Sequence, residues 1–231
     1  MHQMLPKAFL AWSSGKDCAF ALVEARRLKL AEIVGVFTTV NQDYDRVVQH
    51  GTRHSLLDRQ IEALGLPCIK VGLPANCSMD IYEHRIMEAY RQIKAIGVDH
   101  IVFGDLFLED VRAARNRLLA QLEMTGIYPL WMRDTEAVAE TMINSGLVAH
   151  IVCLDPRRLA RDLAGRQFDL TFLQSLPRDV DPCGENGEFH TAVVAGPMFQ
   201  YPIAVEIGAI VDRGGFIFAD LFASDFEKEG H

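Results

Sequence analysis

The sequence predicts an α/β protein: an open, mostly parallel sheet with helices on both faces, then a smaller mixed α/β region. Three observations carry this. Short β-branched runs alternate with helix-period segments through roughly the first 125 residues, a rhythm that implies parallel pairing through right-handed crossovers. Apolar residues make up 49% of the 231 residues, enough to bury a substantial core. After about residue 127 the rhythm breaks into shorter pieces. The expected division is an α/β domain over residues 1–125 and a smaller region over 126–231, packed at its edge.

Ala8–Trp12 is a short apolar run with β character. Cys18–Lys29 reads as a helix, with Leu22 and Val23 inward and Arg26 and Arg27 outward. Glu32–Thr39 is a β-branched strand. Thr52–Leu64 is a helix with Leu57, Ile61 and Leu64 on one face, stopped by Gly65 with Pro67 beyond. Cys68–Val71 is a strand, and Ser78–Ile96 a longer helix whose Tyr82, Ile86, Ala89 and Ile93 form a core stripe. Val98–Phe103 is the next strand and Leu106–Met124 the next helix. Then come "IYPLW", a helix over Thr135–Asn144, a strand over Leu147–Leu154 and a helical patch ending at Leu176. A polar loop covers Pro177–His190, followed by strand-like runs at Thr191–Val194, Ile203–Val211 and Phe216–Ala219.

Net charge is −8 with a pI near 5.5, and no basic stripe marks a dedicated nucleic-acid surface. Five cysteines with no CxxC argue against a disulfide framework and a four-cysteine zinc site. Reduced thiols, an N-terminal apolar stretch too short for a signal-peptide core, and no long uncharged apolar run give the expectation of a cytoplasmic protein without membrane spans. A homodimer is the default expectation for a soluble enzyme.

The turn between the first strand and first helix, "WSSGKDC", carries Trp12, Ser13, Ser14, Gly15, Lys16, Asp17 and Cys18. It falls at the carboxyl end of a strand, where open α/β sheets bind ligands. The following helix offers unpaired N–H groups and its positive dipole end, so phosphate is the natural guest. Lys16 adds a charge, and Ser13 and Ser14 add hydroxyl donors. It is not a Walker A loop: Leu10 and Asp17 stand where that motif needs glycine and Ser or Thr. The bland alternative is that Asp17 caps its helix and Lys16 is solvated.

Two further segments hold chemistry. "FGDLFLEDVRAARNRLL" follows a strand end; Gly104 permits close approach of a ligand, Asp105 and Glu109 share a helix face, and Arg112 lies one turn on. An exposed, salt-bridged helix is the plain reading of Glu109 and Arg112. "DPCGENGEFHTAVVAGPMF" packs Cys183, Glu185, Glu188 and His190 into a short stretch; its spacing fits no zinc site, and two carboxylates in one turn can orient a nucleophile or a cation.

"SSGKDC" resembles the SGGKDS signature of the PP-loop ATP pyrophosphatases, of adenine nucleotide alpha hydrolase-like (HUP, Rossmann-like) fold. Ser14 replaces the usual glycine and Cys18 the final serine. Together with "GDLFLEDVRAARNRLL", "YPLW" and "GENGEFHT…GPMF", in that order, the chain resembles the diphthine–ammonia ligase family over roughly residues 8–200. The resemblance implies an ATP-dependent ligase: ATP adenylates a carboxylate, pyrophosphate leaves, and ammonia displaces AMP to give an amide. The acid substrate it implies is protein-bound diphthine on elongation factor 2 or, in other homologues, a small molecule, with ammonium as nitrogen donor.

On this reading Ser13–Cys18 hold phosphates, Trp12 is a wall, Thr38 and Thr39 read adenine through backbone groups, His50 and Gly51 fold over the nucleotide, and Gly104 and Asp105 complete the site. Mg2+ arrives with the phosphates, helped by Asp17 or Asp105. Lys16 stabilises leaving pyrophosphate, Arg112 holds the substrate carboxylate, and Glu185, Glu188 or His190 bind ammonium or take its proton. Cys18 is a steric stand-in for serine, or a thiol activated by the helix N-terminus. Two alternatives remain open: a nucleotide-binding sensor of the same fold without turnover, and a PP-loop tRNA-modifying enzyme.

Overall fold

The computed structural model describes residues 4–43 and 52–224. Strands β1 (Lys7–Ala11), β2 (Glu32–Asn41), β3 (Cys68–Leu73), β4 (His100–Val102) and β5 (Thr125–Ile127) form one sheet in the order β3-β2-β1-β4-β5. Every pairing in it is parallel. The connecting helices are α1 (Lys16–Arg27), α2 (His54–Leu64), α3 (Met79–Ala95) and α4 (Glu109–Ala120). Alternation along β1 shows why both faces are covered: Ala8 and Leu10 join a core with α1 and α2, and Phe9 joins a core with α3 and α4. The chain grows outward in one direction through β2 and β3, then crosses to β4 on the other side of β1. The resulting switch point lies at the carboxyl ends of β1 and β4.

Helix ends obey local chemistry. Ser78 caps α3 by accepting the Ile81 N–H at 3.3 Å. Gly65, at φ 64°, ends α2 in the left-handed conformation. The helix expected from Leu106 starts at Glu109 instead. Leu106 is fully buried and its N–H goes to the Glu185 carboxylate at 2.9 Å, so residues 106–108 stay outside the helix, with a bend at Phe107. β5 continues the parallel sheet where the sequence showed only a short apolar piece.

The remainder comprises α5 (Thr135–Asn144), β6 (Val148–Leu154), α6 (Leu170–Ser175), β7 (Phe189–Ala195), β8 (Val205–Arg213) and β9 (Phe216–Ala223). Its sheet is antiparallel, in the order β7-β6-β9-β8. This region does not lean on the sheet edge, as expected, but closes over the strand ends. The Val193 N–H donates to the Ser14 carbonyl at 2.9 Å, and Phe168, Phe172 and Phe189 share one core with α1. Buried Glu24 of α1 accepts from Arg27 and, at 2.7 Å, from Arg133 at the start of the region. No helix among the described residues is long and apolar enough to cross a membrane.

Candidate functional site

A cavity of about 780 Å³ opens at the switch point. One wall is the carboxyl edge of the parallel sheet, with Trp12, Thr38, Phe103 and Gly104; the other is Cys153, His190 and Phe218 of the second sheet. Ser13, Lys16, Asp17 and Cys18 form its floor, and Asp105 and Glu185 also line it. Residues from all three sequence segments thus meet in one space.

The turn is built tightly. Gly15 precedes α1 in an extended conformation and α1 starts at Lys16, with no side-chain cap, so Asp17 is not a cap. The Lys16 N–H donates to Thr191 Oγ1 at 3.0 Å. Ser14 and Gly15 do not line the cavity but support the turn from behind, and Ser14 takes φ 77°, the left-handed region that glycine occupies freely. The Cys18 thiol donates to the Gly15 carbonyl at 3.1 Å and accepts from the Ser13 N–H at 3.3 Å and Ser13 Oγ at 3.4 Å. Burial pushes this thiol up to about 11, so it is a neutral hydrogen-bonding group; the activated-thiol expectation is overturned because desolvation outweighs the helix terminus.

Lys16 is not solvated. Its side chain is 2% exposed, lies against the rings of Phe168 and Phe189, and gives its ammonium to both Asp17 oxygens at 2.9 Å and to the Cys183 carbonyl. Burial works to discharge it, but Asp17 and Glu185 outweigh that and hold its pKa above the ordinary value. Gly104 is required for a different reason than expected. A Cβ there would lie 2.7 Å from the Asp17 carbonyl carbon and 2.8 Å from Cys18 N, so the missing side chain admits the first turn of α1, while Gly104 itself lines the cavity.

Asp105 pairs with Arg115, whose Nη2 donates to Oδ1 at 3.1 Å and whose Nε lies 2.8 Å from Oδ2. Arg115 also stacks 4.6 Å over Phe103 and lines the cavity. Arg112 lies elsewhere, over the rings of Tyr128 and Trp131 at 4.8 and 4.4 Å and outside the cavity lining. Glu188 is buried and structural: its carboxylate accepts from the N–H groups of Asp181 and Asn186 and from Asn186 Nδ2, shaping the loop that carries Glu185. Glu185 accepts the Leu106 N–H at 2.9 Å, yet burial, with Asp17 nearby, lifts its carboxyl to about 7. Thr38 is 2% exposed, and its Oγ1 has no protein partner although it faces the cavity wall. His50 and Gly51 lie outside the described residues.

Sequence reasoning missed Arg115, Thr191 and Gln60. Gln60 is fully buried and accepts from Trp12 Nε1 at 3.1 Å and Ser14 Oγ at 2.8 Å. Its position was a signal: Leu57, Gln60 and Leu64 share the inward face of α2, and a buried amide needs partners.

A five-stranded parallel sheet with its cavity at the switch point, floored by a helix N-terminus, defines a Rossmann-like α/β protein with a mixed C-terminal region. Within that class, residues 6–125 match the family model of the diphthamide synthase N-terminal domain and residues 134–216 that of the diphthamide synthase C-terminal domain, so the chain belongs to the diphthamide synthase family. It is 24% identical over 237 residues to a diphthine–ammonia ligase of Danio rerio, covering 94% of this chain and 92% of that protein. The Homo sapiens diphthine–ammonia ligase is 24% identical over 90% of this chain and 86% of its own length. The Schizosaccharomyces pombe protein of that name is 24% identical over 87% of this chain, which spans 36% of its length.

Proposed function

We propose that this protein is an ATP-dependent, AMP-forming ligase that converts a carboxylate to its amide with ammonia, in the manner of the diphthine–ammonia ligases it resembles. One observation carries the reading above all others: the α1 turn, an unpartnered Thr38 hydroxyl and a Glu185 carboxyl lifted to about 7 share one cavity. Its volume suits a nucleotide with part of a substrate, as ligand pockets run to roughly 300–1,000 Å³.

Adenine fits between the strand ends and α3, where Phe37, Tyr82, Ile86, Tyr90 and Phe103 give an apolar bed and Thr38 Oγ1 seeks a polar partner. The phosphates lie over the first turn of α1, favoured by its dipole and by Lys16. The acid oxygen attacks the α-phosphorus, the bond to the β-phosphate oxygen breaks, and pyrophosphate leaves. Ammonia then attacks the acyl carbon, its surplus proton is lost, and AMP departs. Glu185 is placed to accept that proton, because a carboxyl titrating near 7 exchanges protons at neutral pH. Arg115, within the cavity, and His190 on the facing wall are the groups positioned to orient the acid.

The described residues contain no cluster of three metal-binding side chains. A partly exposed Asp17 carboxylate at the cavity floor fits Mg2+ delivered on phosphate oxygens, since that ion needs only one or two protein carboxylates. When bound it would neutralise phosphate charge; Asp17 and Asp105 are each paired with a cation, Lys16 and Arg115, and Asp17 is the more exposed of the two, at 26% against 12%.

The test is amide formation. Purified protein is mixed with Mg-ATP, nitrogen-15 ammonium and candidate acids, including elongation factor 2 carrying diphthine. Label entering an acceptor, with one AMP per amide, is the expected result. ATP bound without amide or AMP across that set would favour the sensor reading.

A further inference from the structure

Gln60 lies behind the α1 turn and does not itself line the cavity, yet its side chain makes four hydrogen bonds. Its Oε1 accepts from Trp12 Nε1 at 3.1 Å and from Ser14 Oγ at 2.8 Å. Its Nε2 donates to the Ser14 carbonyl at 3.2 Å and to the Val193 carbonyl at 2.7 Å. The amide is thus saturated at both ends, in a place with no exposure at all.

What these bonds hold is unusual. Ser14 stands at φ 77°, where its Cβ is disfavoured by roughly 1–2 kcal/mol. Both polar groups of Ser14 that can resist a flip, its hydroxyl and its carbonyl, are tied to the same amide. The Ser14 carbonyl also takes the Val193 N–H at 2.9 Å, so α2, the turn and β7 are joined at one point. On the cavity side of that point the chain runs into Gly15 and the first turn of α1.

We infer that Gln60 is a positioning residue: it fixes Ser14 in the left-handed conformation that aims the turn at the nucleotide, and it makes a serine workable where the backbone favours glycine. The inference rests on the proposed nucleotide site for its functional consequence, but not for its structural one. Ser14 and Gln60 therefore act as a matched pair. Removing the amide harms the turn only while a side chain must be held at position 14.

Two readouts separate the outcomes, each with Gln60→Leu made in the natural sequence and in the Ser14→Gly background. The first is amide hydrogen exchange of residues 13–18, which needs no nucleotide. Gln60→Leu should speed exchange there by at least about tenfold while β3, β4 and α3 keep their protection. In the Ser14→Gly background the same substitution should cost less than about threefold. The second is the Kd for Mg-ATP, expected to weaken about tenfold in the natural background and much less in the other. Unchanged exchange in Gln60→Leu, or an equal loss in both backgrounds, overturns the inference, since a plain core filler would act alike in both. If Gln60→Leu does not fold, Gln60→Met replaces it, keeping the length of the side chain and losing all four bonds. If exchange behaves as expected but the unsubstituted protein binds no ATP, the pairing stands and the nucleotide reading fails.

Discussion

Glu185 and Thr38 both have surroundings that are costly for the fold and useful for a ligand. Burial lifts the Glu185 carboxyl from 4.5 to about 7, against the pull of the Leu106 N–H. The linkage has a definite sign. Stability associated with its neutral form is complete below the unfolded value and is lost as pH rises through about 7. Glu185→Gln should therefore gain thermal stability relative to the unsubstituted protein as pH goes from about 5 to about 8, as read by melting curves, while its amide-forming rate falls and loses the rising limb near neutrality. Thr38 Oγ1 is buried without a partner, which costs the apoprotein roughly 1–3 kcal/mol. Thr38→Val should leave the apoprotein as stable or more so, yet weaken ATP several-fold by calorimetric titration. A stability loss with unchanged affinity would remove Thr38 from the site.

At the scale of elements, the contact that matters is that of α1 against the lead-in to α4. Gly104 has no side chain because the Asp17–Cys18 peptide occupies that space, with a Cβ clash at 2.7 Å against backbone that cannot turn aside. Gly104→Ala should cost about 1–3 kcal/mol in denaturant unfolding, the usual range for overpacking, and should weaken nucleotide binding by moving the floor of the cavity. The elements themselves were largely legible. Alternating strand and helix periods mark β1 through α4, and Gly65 and Ser78 mark helix ends as their chemistry requires. The start of α4 was not legible, because the Leu106 N–H is claimed by Glu185, 79 positions away. Arg112 and Arg115 are separated by less than one helical turn, and only the packing of Tyr128 and Trp131 decides which faces the cavity. Gln60, by contrast, was readable as an amide on an apolar helix face.

For the whole molecule, the two sheets share a core and a site. The cluster around α1 runs through Phe168, Phe172 and Phe189 into the antiparallel sheet, and Arg53 before α2 reaches Asp220 of β9 at 3.1 Å. The sequence indicated a second region but not that it roofs the first, since the contact of β7 with the α1 turn joins residues 175 positions apart and leaves no local period. Two separately stable domains are therefore not expected. Equilibrium unfolding followed by tryptophan fluorescence and by far-ultraviolet circular dichroism should give coincident single transitions. Two resolved transitions would mean that the C-terminal region is only docked.

The proposed function requires that the Ser13–Cys18 turn receive ATP phosphates which leave as pyrophosphate. Phosphorus-31 NMR of Mg-ATP incubated with the protein, ammonium and an acid acceptor reads this directly, with Lys16→Ala alongside. Resonances of AMP and pyrophosphate should appear, and their rate should fall by at least about 10²-fold when the Lys16 ammonium is removed, the scale of losing one charged stabiliser of a leaving oxyanion. ADP with inorganic phosphate, or undiminished AMP formation by Lys16→Ala, would contradict it.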